Sequence, residues 1–568
     1  MSSRTSVIIV FFSAIFLIMV YQLYALQIKK HDDYVIMADH QYFSSSNTLL
    51  NRGTIYFMDK SGVRIPAASL SENYKISFNP LHLEKNTQRV YLIINSISPL
   101  TRKEFFDKAQ KKKDPYEELS VSLTKDQADS LSAFKIGGLQ IIRERKRFYP
   151  ANDLAAQTLG FVGYNKDKKE GIYGLEKYYN DTLSKNSGTM LSNPFSQLFS
   201  DVKSVIDTKA VLSSDIDTTI EPTVARMLQK ELVTVKEKFR ADEAGAIVIN
   251  PMTGEILAME SVPSFNPNTF GSVSDPSLYA NPLVEHVFEM GSIMKPIMMS
   301  IAFDEGMVNA TSTYDDKGFV NVRDRVIRNF DREGRGKGTT MEQVLIQSLN
   351  TGMYYATSKV PKKDMRDYLK KFGLYEKTNI ELPNEASSIM RNLDDNNDVA
   401  FANASFGQGI ALSPMATVKA LSAVANGGYQ ITPTVIKKTD IDNFVNVGGR
   451  VIKKQTSEDI TKILIKLVDT SLSKIVTPPA GYDIAAKTGT AQIPDPSTGG
   501  YFTDRNLHSF FGYFPAEKPQ YLIFFYLKRP YGAKFSSQTL TLPFMNMVKF
   551  LISYYNIPPK NITQVTGN

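Results

Sequence analysis

The 568-residue chain contains no cysteine. That excludes disulfides, thiolate catalysis and cysteine-ligated metal sites. It sets no redox compartment, although a cysteine-free chain suits an oxidising space. Histidine is scarce: His31, His40, His82, His286 and His508 are scattered and form no H-E-x-x-H, which argues against zinc chemistry. Acidic residues are outnumbered by basic ones, 58 against 66, leaving a net charge of +8. The basic run Lys111–Lys113 lies next to Asp114, Glu117 and Glu118, as on an ordinary solvated face. No nucleic-acid recognition motif accompanies it. Attraction to an anionic membrane or cell wall is compatible with the charge. Internal repeats and low-complexity tracts are missing too.

Long apolar runs are also few; one stands out. From Thr5 to Ile28 there are 24 residues without a charge, mostly Val, Ile, Phe, Leu and Met. As a helix this stretch is ~36 Å long, enough for a hydrocarbon layer of ~30 Å. A cleaved signal peptide would have a shorter apolar region, and no A-x-A site follows. The stretch reads as a retained anchor. Arg4 precedes it and Lys29 and Lys30 follow, so charge alone does not orient it. No second span follows, and large domains cross membranes largely regardless of their charge.

What is present is the composition of a folded protein, 42% apolar and 22% charged. The length suggests roughly two to four domains. Residues 1–28 read as a cytoplasmic tip and anchor. Residues 29–210 read as a mixed, irregular α/β module, with a loop-like boundary in Asn186–Gln197. Residues 211–558 carry tighter periodicity, and 559–568 form a tail. Val224, Leu228, Leu232 and Val235 recur at helical spacing after Pro222. Two strand-like runs flank the turn Asn250–Gly254. A helix is expected over Ile293–Phe303, and a closing helix over Leu542–Ile557. Strands are expected in NGGYQITPTVIKK, DIAAKTGTAQI, HSFFGYFP and QYLIFFYLKRP. The class is α+β, with an antiparallel sheet flanked by helices.

Five S-x-x-K pairs occur: Ser122/Lys125, Ser132/Lys135, Ser200/Lys203, Ser292/Lys295 and Ser471/Lys474. Only Ser292/Lys295 opens an almost wholly apolar helix. A serine hydroxyl needs a positioned base at neutral pH. Residues i and i+3 share a helix face, and a desolvated lysine loses its proton readily. Ser292 near a helix start would also have free N–H groups close to developing negative charge. The plain reading is an N-cap serine and a lysine reaching the surface. Downstream, Ser348 and Asn350 lie between the helical stretches Met341–Gln347 and Gly352–Val360, where polar groups can project into a cleft or simply cap a helix. S-x-N recurs at Ser45/Asn47, Ser77/Asn79 and Ser264/Asn266. Further on, Lys487, Thr488, Gly489 and Thr490 fall in a strand. There a glycine marks a close approach, a lysine and hydroxyls can hold a carboxylate, and an open edge can take an extended peptide. Lys60-Ser61-Gly62 reads as a turn only.

Taken in order, Ser292-x-x-Lys295, Ser348-x-Asn350 and Lys487-Thr488-Gly489, separated by 56 and 139 residues, resemble the signature of the penicillin-binding proteins. The resemblance extends to Arg52–Gly62, Arg147–Gly163, Gly171–Leu183, Gly245–Met259, Ser405–Met415 and Lys487–Gln492. No extra glycosyltransferase domain is visible, so the chain is similar to class B, monofunctional members. FEMGSIMKP is closer to the division-type ones. Met290 and Leu349 replace a proline and a serine frequent in relatives.

The resemblance implies a peptidoglycan D,D-transpeptidase that needs no metal or cofactor. Ser292 would attack the D-Ala–D-Ala carbonyl of a stem peptide, with Lys295 as general base. Ser348 and Asn350 would position protons, and Asn350 would help hold the peptide amide. Lys487, Thr488 and Thr490 would bind the terminal carboxylate, and the N–H groups of Ser292 and Thr490 would hold the oxyanion. β-Lactam antibiotics would acylate Ser292. The 29–210 module would serve as a dimerisation-like pedestal docking other division proteins, a membrane glycan polymerase first among them. Three rivals share the fold or the surface: a β-lactam-hydrolysing enzyme, a β-lactam sensor and a non-catalytic wall-binding scaffold. His286, six residues before Ser292, offers a Ser–His alternative, but no S-x-G elbow surrounds Ser292.

Overall fold

The structure is a computed structural model that describes residues 51–111, 114, 116–166, 168–184, 214–437 and 447–560, with scattered positions between 12 and 24. The uncharged stretch Thr5–Ile28 therefore lies largely outside the described residues. The positions described within it are helical, and Phe12, Phe16, Leu17 and Tyr21 are exposed. Among the described residues no helix is long and apolar enough to cross a membrane. The expected boundary at 210/211 and most of the tail also lie outside the described residues.

Two compact units interleave along the chain. Among the described residues one gathers 70–146, and the other gathers 53–69 and 147–183 with 214–437 and 447–560. Residues 53–69 and 147–183, grouped by linear reading with the first module, thus fold with the second unit. The reasons are local. Strand β1 (Ile55–Met58) pairs in parallel with Ile216–Asp217. Asn268 Oδ1 accepts from Tyr149 N at 2.9 Å, and Leu154, Leu159 and Phe161 join the large apolar core.

In the first unit, strand β2 (Arg64–Phe78), from residue 70 onward, pairs antiparallel with β3 (Glu117–Leu123) and also pairs β4 (Leu139–Phe148). Helices α1 (Thr87–Ile97), α2 (Arg102–Ala109) and α3 (Lys125–Ala133) complete it. Ile76, Phe78, Val90, Ile94, Phe105, Leu119, Leu123 and Leu131 form its separate core. Thr124 and Gln127 open α3 with a reciprocal capping box.

In the second unit, α4 (Pro222–Lys238) buries Val224, Leu228, Leu232 and Val235, the face expected from spacing. Strands β5 (Glu243–Ile249) and β6 (Ile256–Val262) form the hairpin around Asn250–Gly254. A 3-10 turn, Gly291–Met294, runs into α5 (Lys295–Asp304). Then come β7 (Thr313–Asp316), the hairpin β8 (Phe319–Val322) and β9 (Arg325–Arg328), and β10 (Gly336–Thr340), which pairs β7. Helices α6 (Met341–Ile346), α7 (Asn350–Thr357), α8 (Pro414–Ala425) and α9 (Lys454–Thr470) follow. Strands β11 (Ala485–Asp495), β12 (Gly500–Phe514) and β13 (Tyr521–Lys528) and helix α10 (Ser536–Tyr555) close the unit.

The main sheet is antiparallel in the order β11-β12-β13-β5-β6, so β11 is an edge strand. Alternation along β12 puts the helices on opposite faces. Phe510 packs on Phe544 of α10 at 4.7 Å between ring centroids, whereas Tyr513 meets Thr461 of α9 at 2.8 Å between hydroxyls. Central β13 is apolar on both faces because both are covered. Two elements differ from expectation. NGGYQITPTVIKK is a strand only over Tyr429–Ile431, since Pro433 removes a ladder donor. The closing helix begins at Ser536, a turn and a half before Leu542, with Pro543 inside it. Gln538 Oε1 caps its start by accepting from Lys534 N and Phe535 N.

Candidate active site

Ser292 lies half-buried in the 3-10 turn that leads into α5, and Lys295 is the first residue of that helix. The turn is pressed against β11 by two glycines. Gly291 has φ +61°, and a Cβ there would stand 2.9 Å from the Thr490 carbonyl oxygen. A Cβ on Gly489 would stand 2.2 Å from Ser509 Oγ and 2.8 Å from the Met290 carbonyl oxygen. Ser509 Oγ donates to that same Met290 oxygen at 2.7 Å. Gly291 N donates to Gly407 O at 3.1 Å, so the SFGQG segment holds the turn from its other side.

Lys295 Nζ donates to Ser348 O at 2.6 Å, to Asn350 Oδ1 at 2.8 Å and to Ser348 Oγ at 3.1 Å. Lys487 Nζ reaches the same Ser348 hydroxyl at 3.0 Å, and Thr488 O at 3.0 Å. Ser348 sits between α6 and α7 with φ +57°, a conformation that costs a non-glycine residue free energy. In it, both its carbonyl and its hydroxyl face Lys295. Asn350 is the first residue of α7, and its Nδ2 donates to Arg328 O at 2.9 Å. The expected junction between two helices is therefore present, and the side chains of 295, 348, 350 and 487 meet in one place.

Both lysines are buried, with 0% and 1% exposure. Among the described residues neither forms an ion pair with a carboxylate. Burial without a counter-charge, with Lys487 as a neighbouring cation, holds Lys295 well below the ordinary lysine range. Burial brings Lys487 down to about 7. The three acceptors around Lys295 favour its ammonium form. They are all uncharged, so desolvation prevails. No hydrogen bond joins Lys295 to Ser292 Oγ among the described residues; the amine is held by the S-x-N segment instead.

Thr488 and Thr490 are half-buried and alternate with Lys487 and Gly489 along β11, so the two hydroxyl residues share a face. Thr490 Oγ1 accepts from Ser536 N at 3.1 Å, leaving its hydrogen free to donate. His286 is exposed and makes no hydrogen bond to Ser292 among the described residues. Of the other S-x-x-K pairs, Ser122/Lys125 and Ser132/Lys135 are exposed, as is Lys474; Ser200/Lys203 lies outside the described residues.

Several residues around the site were not singled out in the sequence. Glu289, three residues before Ser292, is held by the Tyr501 hydroxyl, 3.0 Å from both carboxylate oxygens, and burial pushes its pKa up to about 7. Asp316, Asn329 and Thr351 form a buried polar cluster beside Asn350. A lone acidic residue in a charged, irregular stretch carries no periodic signal, so spacing could not have marked them.

Residues 244–546 match the family model of the penicillin binding protein transpeptidase domain, and residues 49–192 match that of the penicillin-binding protein dimerisation domain. Stage V sporulation protein D of Bacillus subtilis (strain 168) is 29% identical over 531 residues, covering 90% of this chain and 79% of the relative. Peptidoglycan D,D-transpeptidase FtsI of Escherichia coli (strain K12) is 24% identical over 448 residues, covering 78% and 73%. Among solved structures, penicillin binding protein 2X from Streptococcus thermophilus superposes with a TM-score of 0.73 at 23% identity, covering 89% of this chain and 79% of that one. At that identity the likeness speaks to the fold.

Proposed function

The chain belongs to the penicillin-binding protein transpeptidase family, and from that membership and the cleft geometry we infer that it is a class B, division-type peptidoglycan D,D-transpeptidase of bacterial wall synthesis. The observation that carries the mechanism is the Ser348 hydroxyl, shared by two buried lysines that have no carboxylate partner among the described residues. Burial holds both below the ordinary lysine range, Lys487 at about 7, so each gives up a proton more readily than an exposed lysine.

In acylation, Ser292 Oγ attacks the carbonyl carbon of the D-Ala–D-Ala bond of a stem peptide, and its proton passes to neutral Lys295. The oxyanion rests on the N–H groups of Ser292 and Thr490. The C–N bond then breaks, and the proton held by Lys295, passed through Ser348, goes to the departing D-Ala nitrogen. Asn350 holds the peptide amide, while Lys487, Thr488 and Thr490 hold the terminal carboxylate. Gly489 lets the nucleophile turn close onto β11. In the second half, the amine of another stem peptide attacks the ester carbonyl. It loses a proton to the same relay, and Ser292 leaves with its proton restored. A β-lactam enters as a donor mimic: its ring amide opens and its acyl group stays on Ser292.

The same reading divides the chain into an anchor at 1–28, a pedestal within 29–210 whose stretches 53–69 and 147–183 fold with the catalytic unit, a catalytic domain at 211–558 and a tail at 559–568. The uncharged run Thr5–Ile28 supports single-pass anchoring in the cytoplasmic membrane, with the catalytic domain on the outer side. The pedestal would dock a membrane glycan polymerase and other division proteins.

Intact mass after benzylpenicillin tests the nucleophile. A persistent adduct on the wild type and none on Ser292→Ala is expected. Rapid loss of the adduct with sustained turnover would favour a hydrolase, and no adduct on the wild type would favour a scaffold.

A further inference from the structure

The carboxyl group of Asp316 has no part in the mechanism above, yet it is 1% exposed and gathers four donors. It accepts from Gly318 N at 3.0 Å, Arg335 N at 3.1 Å, Asn329 Nδ2 at 3.0 Å and the Thr351 hydroxyl at 2.8 Å. Asn329, 2% exposed, turns its Oδ1 to Thr351: the backbone N–H lies 3.2 Å away and the hydroxyl 3.0 Å. Thr351 is the residue after Asn350. On the same excursion, Arg328 O takes Asn350 Nδ2, and Arg335 Nε donates at 2.8 Å to Oε1 of Gln347, the residue before Ser348. The excursion from β7 to β10 therefore grips the chain at 347, 350 and 351. Ser348, between those grips, holds its left-handed backbone. Strain of that kind persists only where surroundings over-determine it, and among the described residues Lys295 Nζ donates only to Ser348 and Asn350.

We propose that Asp316, acting with Asn329 through Thr351, is a positioning residue of the acyl-transfer site that holds Ser348 and Asn350 against Lys295. A buried carboxylate filled by four donors is a stiff anchor. It takes the Thr351 hydroxyl, and Asn329, which donates to it through Nδ2, takes the Thr351 backbone N–H, so the two together fix the start of α7. Released from that anchor, the strained junction relaxes, and Lys295 loses the acceptors that aim its amine. This rests on the transpeptidase reading.

The test uses the full chain with Thr351→Val, which keeps shape and loses the hydroxyl, Thr351→Ser, which keeps the hydroxyl, and Asp316→Asn. Acylation by a fluorescent penicillin is followed by stopped flow, alongside thermal melting. Thr351→Val and Asp316→Asn should acylate roughly tenfold to a hundredfold more slowly, as expected for misplaced reacting groups, with initial penicillin binding unchanged. Thr351→Ser should acylate at the wild-type rate. A crystal structure of Thr351→Val should show Ser348 out of its left-handed conformation. Wild-type acylation in Thr351→Val, an equal loss in Thr351→Ser, or an unmoved Ser348–Lys295 contact in that crystal structure would overturn the proposal. The crystal structure decides this question even if the wild type takes no penicillin, a result that by itself would sink the transpeptidase reading.

Discussion

Lys295 and Lys487 both approach the Ser348 hydroxyl, 3.1 Å and 3.0 Å away, and share no carboxylate among the described residues. Because Lys487 helps depress Lys295, replacing it with Met should let the Lys295 pKa rise. With Lys295 as the proposed base, acylation would need the neutral amine, so the rate should climb with pH along an acid limb well below the ordinary lysine value. In Lys487→Met that limb should move to higher pH. Fluorescent-penicillin acylation from about pH 5 to about pH 9 checks this; a limb that stayed put or moved down would contradict it.

Burial that lowers a lysine pKa also makes folding release a proton. The unfolded chain then binds more protons between the two pKa values, so stability rises with pH across that interval. For Lys487 the interval runs from about 7 upward to the ordinary lysine value. Chemical denaturation at pH 7 and at pH 9 should show the wild type gaining more stability than Lys487→Met over that step.

Glu289 has the opposite sign. Its pKa is raised to about 7, so the folded chain holds a proton that the unfolded chain gives up. Stability from this group falls as pH rises from the ordinary carboxyl range through about 7. Glu289→Gln should melt close to the wild type at pH 5 and above it at pH 8, as read by scanning calorimetry. Tyr501→Phe, which removes the hydrogen bond favouring the anion, should steepen the wild-type loss.

Arg147 and Glu176 form a buried ion pair at 2.6 Å, 3% and 0% exposed, and Arg147 also reaches Gly53 O at 2.7 Å. Removing Arg147 takes a buried charged donor away from the Glu176 carboxylate and from Gly53 O. Arg147→Ala should lose about 3–5 kcal/mol of stability, measured by urea denaturation, and should leave the fraction that remains folded able to bind penicillin.

Gly489 faces Ser509 Oγ and the Met290 carbonyl. Gly489→Ala should destabilise by about 1–3 kcal/mol and slow acylation further than its melting shift accounts for, because the displaced strand carries Thr490. Equal acylation rates would show that the turn tolerates a retreat from β11.

Much of this was readable from residue order alone. The stripe Val224, Leu228, Leu232 and Val235 is a face of α4 because burial of a helix repeats every three to four residues. The hairpin at Asn250–Gly254 and strand β11 follow from turn chemistry and β-rich runs. The motif residues were found through resemblance, and their surroundings were read correctly as apolar for α5. Other features depend on contacts distant in sequence. Asp316 looks like one more surface acid until Thr351 is seen above it. Ser348's positive φ has no local cause, since its grips come from Arg335, Asp316 and Asn329. The folding of 147–183 with the second unit rests on Asn268 against Tyr149, on Glu260 Oε1 accepting from Ala155 N at 3.0 Å, and on the large core, none of which a linear boundary can show.

Strand β11, bordering the main sheet, presents its outer row of amide and carbonyl groups without regard to which side chains an incoming peptide carries. Such a rail is indifferent to sequence and would accept any extended segment of suitable length. With Lys487, Thr488 and Thr490 as the proposed partners of a terminal carboxylate, discrimination among wall peptides would come from the end of the rail, so that an otherwise matching peptide blocked at its carboxyl end would bind and go unused.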